Sequence, residues 1–214
     1  MNCQHCGREI ADNVPFCPSC GTFLGKPKLL SLESMQLVFM RADLAGFTSM
    51  SESMTSEDVM TFLNEVFGVF STIIESYKGV VYEVIGDEIV SVFGFPKESG
   101  FTPHMAVFAA DDLLKKLDDL NRKRYLKNPV GLKIGMTMDH ASLPSVHRDI
   151  RHAVIITKGF KKCQILQKNA VDNTILVDEN LHQATKAFFT YRGVGNIEQD
   201  SFSIKAYEYE TKTT

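Results

Sequence analysis

Short runs of apolar residues, bounded by polar or turn-forming residues, predict strands along much of the chain. Residues 37–42 form a mostly apolar run that ends at Asp43, which is typical of a buried strand. Two further runs rich in β-branched residues, 80–85 and 89–95, flank the pair Gly86-Asp87, whose residue types favour a tight turn. These two runs therefore predict a β-hairpin.

Two other stretches place apolar residues at helical spacing. The first begins at Thr55, which forms a capping-box-like start with Asp58, and it ends at Gly79. The second opens at Thr102-Pro103, because proline is favoured in the first turn of a helix. Its spacing predicts one buried face, made of Met105, Phe108, Ala109, Leu113, Leu117 and Leu120.

The second half of the chain mixes both kinds of element. A helix is predicted over 160–170, and strands over 130–138, 153–157, 174–177, 188–192 and 202–209. The complete order predicts an α+β fold in which helices cover a mainly antiparallel sheet.

The composition is that of an ordinary globular protein. Of 214 residues, 44% are hydrophobic and 23% are charged, and the formal net charge is −3. This charge provides no basic field for nucleic acid, and no apolar run approaches the ~20 residues of a membrane span. The first residues lack a positive segment followed by an apolar stretch. We therefore predict a cytoplasmic protein with no nucleic-acid partner and no membrane contact.

Four of the five cysteines lie in the first twenty residues, as two C-x-x-C pairs separated by ten residues. Each pair offers two thiolates to one ion, so the pairs predict a closed tetrahedral Zn²⁺ site made of Cys3, Cys6, Cys17 and Cys20. Two disulfides or a redox-active pair are the alternatives, and a reducing cytosol disfavours the disulfides. Cys163 stands far away in the sequence and is expected to be a small buried hydrophobe.

The cysteines and the residues that follow them divide the chain into three parts. Residues 1–25 are predicted to form a zinc ribbon, residues 26–35 a linker, and residues 36–214 the main domain. Because a closed site has no open coordination position, the ribbon is not expected to catalyse a reaction. It serves either as a folded cap or as a docking surface for a protein partner.

Two aspartates are placed where they can meet at one end of the predicted sheet. Asp43 ends the first strand and Asp87 occupies the hairpin turn. Neighbouring carboxylates repel each other and need a cation, and such oxygen ligands favour Mg²⁺ or Mn²⁺. The loop 45–48 carries Gly46 just before a helical region, so its backbone N–H groups can hold phosphates beside the metals. Aspartates at strand ends are also common as simple turn formers.

Three motifs carry a resemblance to a known family. They are Asp43-Leu44-Ala45-Gly46-Phe47-Thr48, Leu63-Asn64-Glu65-Val66-Phe67 and Ile85-Gly86-Asp87-Glu88 running into 92–96. In this order and spacing they resemble the N-terminal half of class III nucleotidyl cyclases, closely over about residues 36–110. The resemblance implies a ferredoxin-like α+β domain that forms head-to-tail homodimers or heterodimers with active sites at the interface. It also implies conversion of a nucleoside triphosphate to a 3′,5′-cyclic nucleotide and pyrophosphate with two Mg²⁺ or Mn²⁺ ions per site.

The resemblance also implies roles for individual residues. Two carboxylates and one backbone carbonyl would bind the metals, namely those of Asp43, Asp87 and Leu44. The backbone N–H groups that would hold the phosphates belong to Gly46, Phe47 and Thr48.

Selection of the base is implied at Glu83. A carboxylate accepts hydrogen bonds from guanine N1–H and the 2-amino group, whereas the lysine usual in the family's adenylyl cyclases donates to adenine N1. Glu83 therefore favours guanine; adenine, or a strand residue that contacts no base, are the alternatives. The second base-contacting position falls at about Val154, whose side chain cannot form a hydrogen bond.

The C-terminal half departs from the family pattern. The family carries an asparagine and, four residues later, an arginine on one helix, which orient the ribose and stabilise charge on the transferring phosphate. The corresponding positions are Lys161 and Ile165, and no arginine occurs between Arg151 and Arg192. Two hypotheses follow: a cyclase that works weakly alone or as the metal-bearing half of a heterodimer, or a catalytically silent domain that binds nucleotide and metal and acts as a signalling or interaction module.

Overall fold

The computed structural model describes residues 2–11, 14, 16–22, 24, 32–96, 99–124, 129–144, 150–152 and 154–210. The chain divides into two compact units, Met1–Ser31 and Leu32–Thr214. The small unit holds the four N-terminal cysteines around a short apolar cluster. The large unit holds the α+β domain.

The described part of the large unit contains eight strands and five helices, in the order expected for an α+β domain. The strands are β1 (Leu32–Ala45), β2 (Gly79–Ile85), β3 (Glu88–Phe93), β4 (Gly131–Pro144), β5 (Ile156–Thr157), β6 (Thr174–Asp178), β7 (Tyr191–Gln199) and β8 (Phe202–Tyr209). The helices are α1 (Phe47–Ser51), α2 (Ser56–Ser76), α3 (Thr102–Arg124), α4 (Gly159–Asn169) and α5 (Glu179–Thr185). A 3₁₀ turn covers Ile150–His152.

These strands form one sheet in the order β2-β3-β1-β4-β6-β8-β7, with β5 paired to β4. The pairing of β4 with β6 is parallel, and every other pairing among the described strands is antiparallel. The predicted α+β fold with a mainly antiparallel sheet is thereby confirmed. Because β1 and β4 occupy the middle of the sheet, both of their faces are covered.

The two faces of β1 enter two separate apolar layers, because successive side chains of a strand point to opposite sides. Val38 and Met40 join the main core, to which α2 and α3 contribute most of the other side chains. Phe39 points to the opposite surface, which is covered by α4 and is here named the α4 face. There the rings of Phe39 and Phe160 meet edge to face, with their centroids 4.8 Å apart.

Helix α2 begins where its capping box predicts. The hydroxyl of Thr55 accepts a hydrogen bond from the backbone N–H of Asp58 at 3.1 Å, which satisfies one free donor of the first turn. By length and mean hydropathy α2 also resembles a membrane-spanning helix. Five of its side chains are nevertheless buried in the main core: Phe62, Val66, Phe67, Phe70 and Ile74.

Strand β1 is longer than the apolar run that predicted it. It begins at Leu32, so residues 32–35, expected to be linker, pair with the last residues of β4. It also continues past Asp43 to Ala45, and the short helix α1 follows where only a loop was expected. Polar residues extend the strand because the distant β4 supplies their backbone partners, which local periodicity does not reveal.

Two predicted strands have different bounds in the structure. The strand expected over 153–157 is reduced to the two residues of β5, and residue 153 lies outside the described residues. The strand expected over 188–192 is displaced, because β7 begins only at Tyr191 and continues to Gln199. Both segments border turns, where the ends of elements are least determined by sequence.

Helix α3 buries a face that differs from the predicted one in its first turns. Ala109, Leu113, Leu117 and Leu120 are buried, but Met105 and Phe108 are 37% and 44% exposed. The core is filled instead by the small side chains of the first turns, so the larger side chains of the predicted face stay at the surface.

The packing of α4 on β4 depends on a glycine. A Cβ atom at Gly135 would lie 2.2 Å from the backbone nitrogen of Gln167 and 2.3 Å from the carbonyl oxygen of Cys163. The helix backbone therefore rests directly on the sheet at this point. Cys163 is fully buried in the same layer, which confirms its expected role as a small hydrophobe.

Replacing Gly135 with alanine should force α4 away from the sheet. We expect the free energy of unfolding to fall by about 2 kcal/mol or more, because a rigid backbone contact leaves no room for the methyl group. The matched control is Gly68→Ala on the exposed side of α2, where no atom lies within 4 Å and alanine should stabilise the helix by roughly 0.5–1 kcal/mol. Urea unfolding followed by circular dichroism measures both, and equal stability of the two variants would contradict this packing.

Candidate active site

Strand register places the charged side chains of the candidate site in one row across the α4 face. Asp43 of β1 lies opposite Glu88 of β3 on one side and opposite Lys133 of β4 on the other. Paired residues of neighbouring strands point to the same face of a sheet. The row therefore holds two acids side by side and one base.

Asp87 joins this row from the hairpin turn. Its backbone carbonyl accepts a hydrogen bond from the N–H of Leu44 at 3.2 Å, so the turn is attached to the end of β1. The predicted meeting of Asp43 and Asp87 at one end of the sheet is thus present in the structure. We name the group of Asp43, Asp87 and Glu88 the acidic corner.

The acidic corner is electrostatically strained. Burial, followed by the charges of Asp87 and Glu88, raises the pKa of Asp43 from 3.8 to about 6. Lys133 and Arg41 act in the opposite direction but do not cancel the effect. A divalent cation would relieve this repulsion, so the donor set of the corner fits Mg²⁺ or Mn²⁺.

The backbone beside the corner turns into a helix N-terminus. Gly46 has φ +80° and precedes α1, and its carbonyl accepts the hydrogen bond of Met50 at 3.1 Å. This left-handed backbone conformation favours glycine. Phe47 and Thr48 are the first residues of α1, and N–H groups at the start of a helix have no partner within it. The predicted phosphate-holding amides therefore directly follow the strand that carries Asp43.

Glu83 lies on the same α4 face, farther along the edge strand β2. A bulge between Val81 and Glu83 shifts the register, and Glu83 stands opposite Val90. Its side chain is exposed. Val154, the other position implied in base selection, is 69% exposed and offers only an apolar side chain.

Helix α4 carries Lys161 and Ile165 at the positions that correspond to the family's asparagine and arginine. Ile165 is fully buried among apolar neighbours, so the position assigned to the arginine does not reach a substrate. Lys161 is exposed, and its ammonium group lies 3.2 Å from the carboxylate of Asp200. Lys162 is similarly paired with Asp139 at 2.8 Å. Two of the lysines that could supply a cation from α4 are thus already engaged.

Three residues of this region were not singled out from the sequence. Arg41 and Glu88 form a close ion pair beside Asp43, and Lys133 completes the row on the other side. The available signals were small: Arg41 stands two residues before Asp43, and Glu88 directly follows Asp87. Only the pairing of β1 with β3 and β4 brings them together.

The cysteines of the small unit form a cluster with the geometry of a metal site. All four ligand atoms lie within 4.8 Å of one another, and the contacts from Cys3 to Cys20 and from Cys6 to Cys17 are 3.7 Å. A tetrahedron with metal–sulfur bonds of about 2.3 Å has edges of about 3.8 Å, so the cluster fits Zn²⁺. All four are free cysteines in the structure, which supports the zinc site over the disulfide alternative.

Two equivalent turns shape this cluster. The N–H of Gly7 donates to the carbonyl of Cys3 at 2.8 Å, and that of Gly21 donates to Cys17 at 2.9 Å, each glycine having φ +71°. The hydroxyl of Thr22 contributes most to lowering the pKa of Cys20 to about 6. The thiolate is the form that binds a metal, so this contact favours the ligand state.

The fold and the acidic corner together define a nucleotide cyclase domain preceded by a zinc ribbon. The family model of the adenylate and guanylate cyclase catalytic domain matches residues 31–200, and that of the zinc-ribbon domain matches residues 2–24. The chain therefore belongs to the adenylate and guanylate cyclase catalytic-domain family. The resemblance found in the three sequence motifs is confirmed.

Individual relatives agree with this assignment. The receptor-type guanylate cyclase gcy-13 of Caenorhabditis elegans is 31% identical over 108 residues, which are 50% of this chain but only 10% of that protein. The adenylyl cyclase CyaB from P. aeruginosa has a similar fold, with a TM-score of 0.78 and 21% identity over 86% of this chain and 98% of that one. A dimeric guanylyl cyclase domain of the RhoGC fusion protein from Blastocladiella emersonii gives a TM-score of 0.69 and 16% identity over 83% and 97%.

The cysteine cluster should bind one Zn²⁺ per chain, because four thiolates complete a tetrahedral shell. We expect Cys6→Ser to abolish stoichiometric zinc, measured by mass spectrometry of the metal in purified protein. Cys163→Ala is the matched control and should keep the zinc, since Cys163 lies in the core of the large unit. Loss of zinc from the control, or its retention in Cys6→Ser, would contradict the site.

Replacing Asp43 with asparagine should stabilise the metal-free fold in a pH-dependent way. The pKa of Asp43 is raised on folding, so the folded chain holds this proton more tightly and the wild type loses stability as the pH rises from about 4 to about 6. We expect the advantage of Asp43→Asn to grow by about 1 kcal/mol across this range, after reduction by solvent screening.

Urea unfolding without divalent metal, at about pH 4 and about pH 7, measures this change. Asp119→Asn, at an exposed position of α3, is the control for a general effect of removing one negative charge. An advantage of Asp43→Asn that is the same at both pH values would contradict a strained carboxyl group.

Proposed function

We propose that this chain is a metal-dependent nucleotidyl cyclase domain that converts a purine nucleoside triphosphate to a 3′,5′-cyclic nucleotide and pyrophosphate. The observation that carries the proposal is the meeting of Asp43 and Asp87 at the end of β1, where burial and like charge raise the pKa of Asp43 to about 6. Outside a binding site such crowding only destabilises a fold. The chain spans about a tenth of the length of the curated relatives it matches, so activity is proposed for this domain alone.

The proposed roles follow from position. Asp43, Asp87 and the carbonyl of Leu44 would hold two Mg²⁺ or Mn²⁺ ions, which supply activation of the ribose 3′-hydroxyl and charge stabilisation on the phosphates. The amides of Gly46, Phe47 and Thr48 would bind the triphosphate, since they follow the same strand end. The 3′-oxygen attacks the α-phosphorus and pyrophosphate leaves.

Glu83 supports GTP as the preferred substrate. Its exposed carboxylate stands on the α4 face and is able to accept two hydrogen bonds from guanine. The apolar side chain of Val154 adds no hydrogen bond to this selection, so we expect the preference over ATP to be modest.

The composition of α4 limits the activity expected of a homodimer. The helix Gly159–Asn169 contains no arginine, and Lys161 and Lys162 are paired with carboxylates. Loss of one preorganised donor at a developing charge typically costs about 10²–10³ in rate. We therefore propose either weak activity alone or a role as the metal-bearing half of a heterodimer, whose partner domain supplies the missing arginine.

A second candidate function rests on the same helix. If no partner supplies the arginine, the domain binds nucleotide and metal without turnover and signals through its dimer or through the zinc ribbon. The buried Ile165 favours this reading, because an apolar residue there improves packing at the expense of chemistry.

Incubation of the purified chain with Mn²⁺ and each of ATP, GTP, CTP and UTP should yield a slowly formed cyclic product, with GTP preferred. Mass spectrometry distinguishes the cyclic nucleotide from products of simple hydrolysis. Asp43→Ala and Asp87→Ala should remove the product, because each deletes a proposed metal ligand.

Asp119→Ala on α3 provides the matched control and should leave the rate unchanged. Product that survives both aspartate substitutions would contradict the proposed site. Absence of product from every nucleotide, combined with nucleotide binding that requires Mn²⁺ and Asp43, would overturn the autonomous enzyme in favour of the heterodimer half or the silent module.

A further inference from the structure

An ion pair lies next to the acidic corner, between the sheet and α4. The Nη2 of Arg41 donates to Oε2 of Glu88 at 2.7 Å, and its Nε lies 2.5 Å from Oε1. The two side chains are only 12% and 15% exposed. Only the first of these contacts is a hydrogen bond, because Nε and Oε1 are buried without a hydrogen-bond partner and meet as charges alone. Taking both charges out of water carries a large desolvation cost, which opposes the stability of the fold at this surface.

The pair is aligned with the proposed metal ligand by strand geometry. Arg41 stands two residues before Asp43 on β1, so both side chains point to the α4 face. Glu88 is the direct cross-strand partner of Asp43, while Arg41 reaches it diagonally from the position opposite Val90. From α4, the thiol of Cys163 experiences the charges of both Arg41 and Glu88. The guanidinium thus lies where sheet, helix and acidic corner meet.

The charge balance of the corner depends on this guanidinium. Asp43, Asp87 and Glu88 would together present three carboxylates, and Lys133 on the far side is shared with Asp172 at 3.4 Å. Three free carboxylates would compete for the same ions and alter the geometry that a two-aspartate site requires. Arg41 removes one of them from this competition.

We propose that Arg41 is a positioning residue of the metal site, an inference that rests on the function proposed above. Its ion pair holds Glu88 away from the metals and offsets part of that charge, so that Asp43 and Asp87 are the free carboxylates of the acidic corner. Glu88 is therefore not a metal ligand, although it is nearer to Asp43 in the sheet than any other acid of a paired strand.

The role of Arg41 is tested by removing the charge of Glu88 alone and then the charges of both Arg41 and Glu88. Mn²⁺ binding to the zinc-loaded full chain is measured by the electron paramagnetic resonance signal of free Mn²⁺, at one mildly alkaline pH. Glu88→Gln leaves an uncompensated guanidinium beside Asp43, and we expect the Kd for Mn²⁺ to rise roughly fivefold to thirtyfold. The double variant Arg41→Met with Glu88→Gln removes both charges and should return the Kd to within about twofold of wild type.

Two further variants protect the test against folding defects. Arg41→Lys keeps the positive charge and should retain a Kd near that of wild type, and Arg41→Gln with Glu88→Gln provides a second neutral pair of different shape. Circular dichroism confirms that each variant is folded. Glu208→Gln breaks the exposed pair of Arg192 and Glu208, at 2.9 Å on the β7–β8 hairpin, and should not change Mn²⁺ binding.

The outcomes separate this inference from the function on which it rests. A double variant as weak as Glu88→Gln would show that Glu88 is a ligand, and an unchanged Kd in Glu88→Gln would show that the pair does not act on the site; either result overturns the inference alone. If the Asp43→Ala variant binds Mn²⁺ with the same Kd as the wild-type protein, the proposed metal site is overturned, and the role of Arg41 with it.

Discussion

The antiparallel register of β1 with β3 is the constraint on which the candidate site depends. It places Asp43 opposite Glu88, and it brings the turn that contains Asp87 to the N–H of Leu44. Because side chains alternate along a strand, the same register sends Arg41 and Asp43 to the α4 face while Met40 and Ala42 enter the core. A slip of one residue would turn Arg41 and Asp43 into the main core and Met40 and Ala42 to the α4 face, so core packing and site geometry are specified together.

The acidic corner lowers the stability of the fold, and the structure around it restores that stability. Burial of the strand end, followed by the charges of Asp87 and Glu88, raises the pKa of Asp43, and no interaction within the corner removes that effect completely. The surrounding structure supplies the compensation through the apolar layers on both faces of β1 and the ion pair of Arg41 with Glu88. Strain that persists because its surroundings hold it in place is typical of binding sites.

Local signals predicted much of the fold and about half of the site. The capping box at Thr55, the turn at Gly86-Asp87 and the cysteine spacing each act over a few residues, so the sequence displays them directly. Other features depend on distant partners. Residues 32–36 are strand only because β4 pairs with them, and the Arg41–Glu88 contact joins positions 47 residues apart. The burial of Ile165 likewise depends on β8 and was not visible in the helix itself.

The sheet and α4 contribute unequally to the candidate site. The sheet half keeps its acids, its turn and its helix N-terminus, all fixed by β1 and its neighbours. The residues of α4 serve to pack the helix against the sheet instead. The helix backbone contacts Gly135, Ile165 lies in a core cluster, and Lys161 and Lys162 are paired with acids. Turning the helix to present another face would break those contacts together, and no face of α4 carries an arginine. Under the heterodimer reading of the proposed function, the cation for the transferring phosphate would therefore come from a second domain.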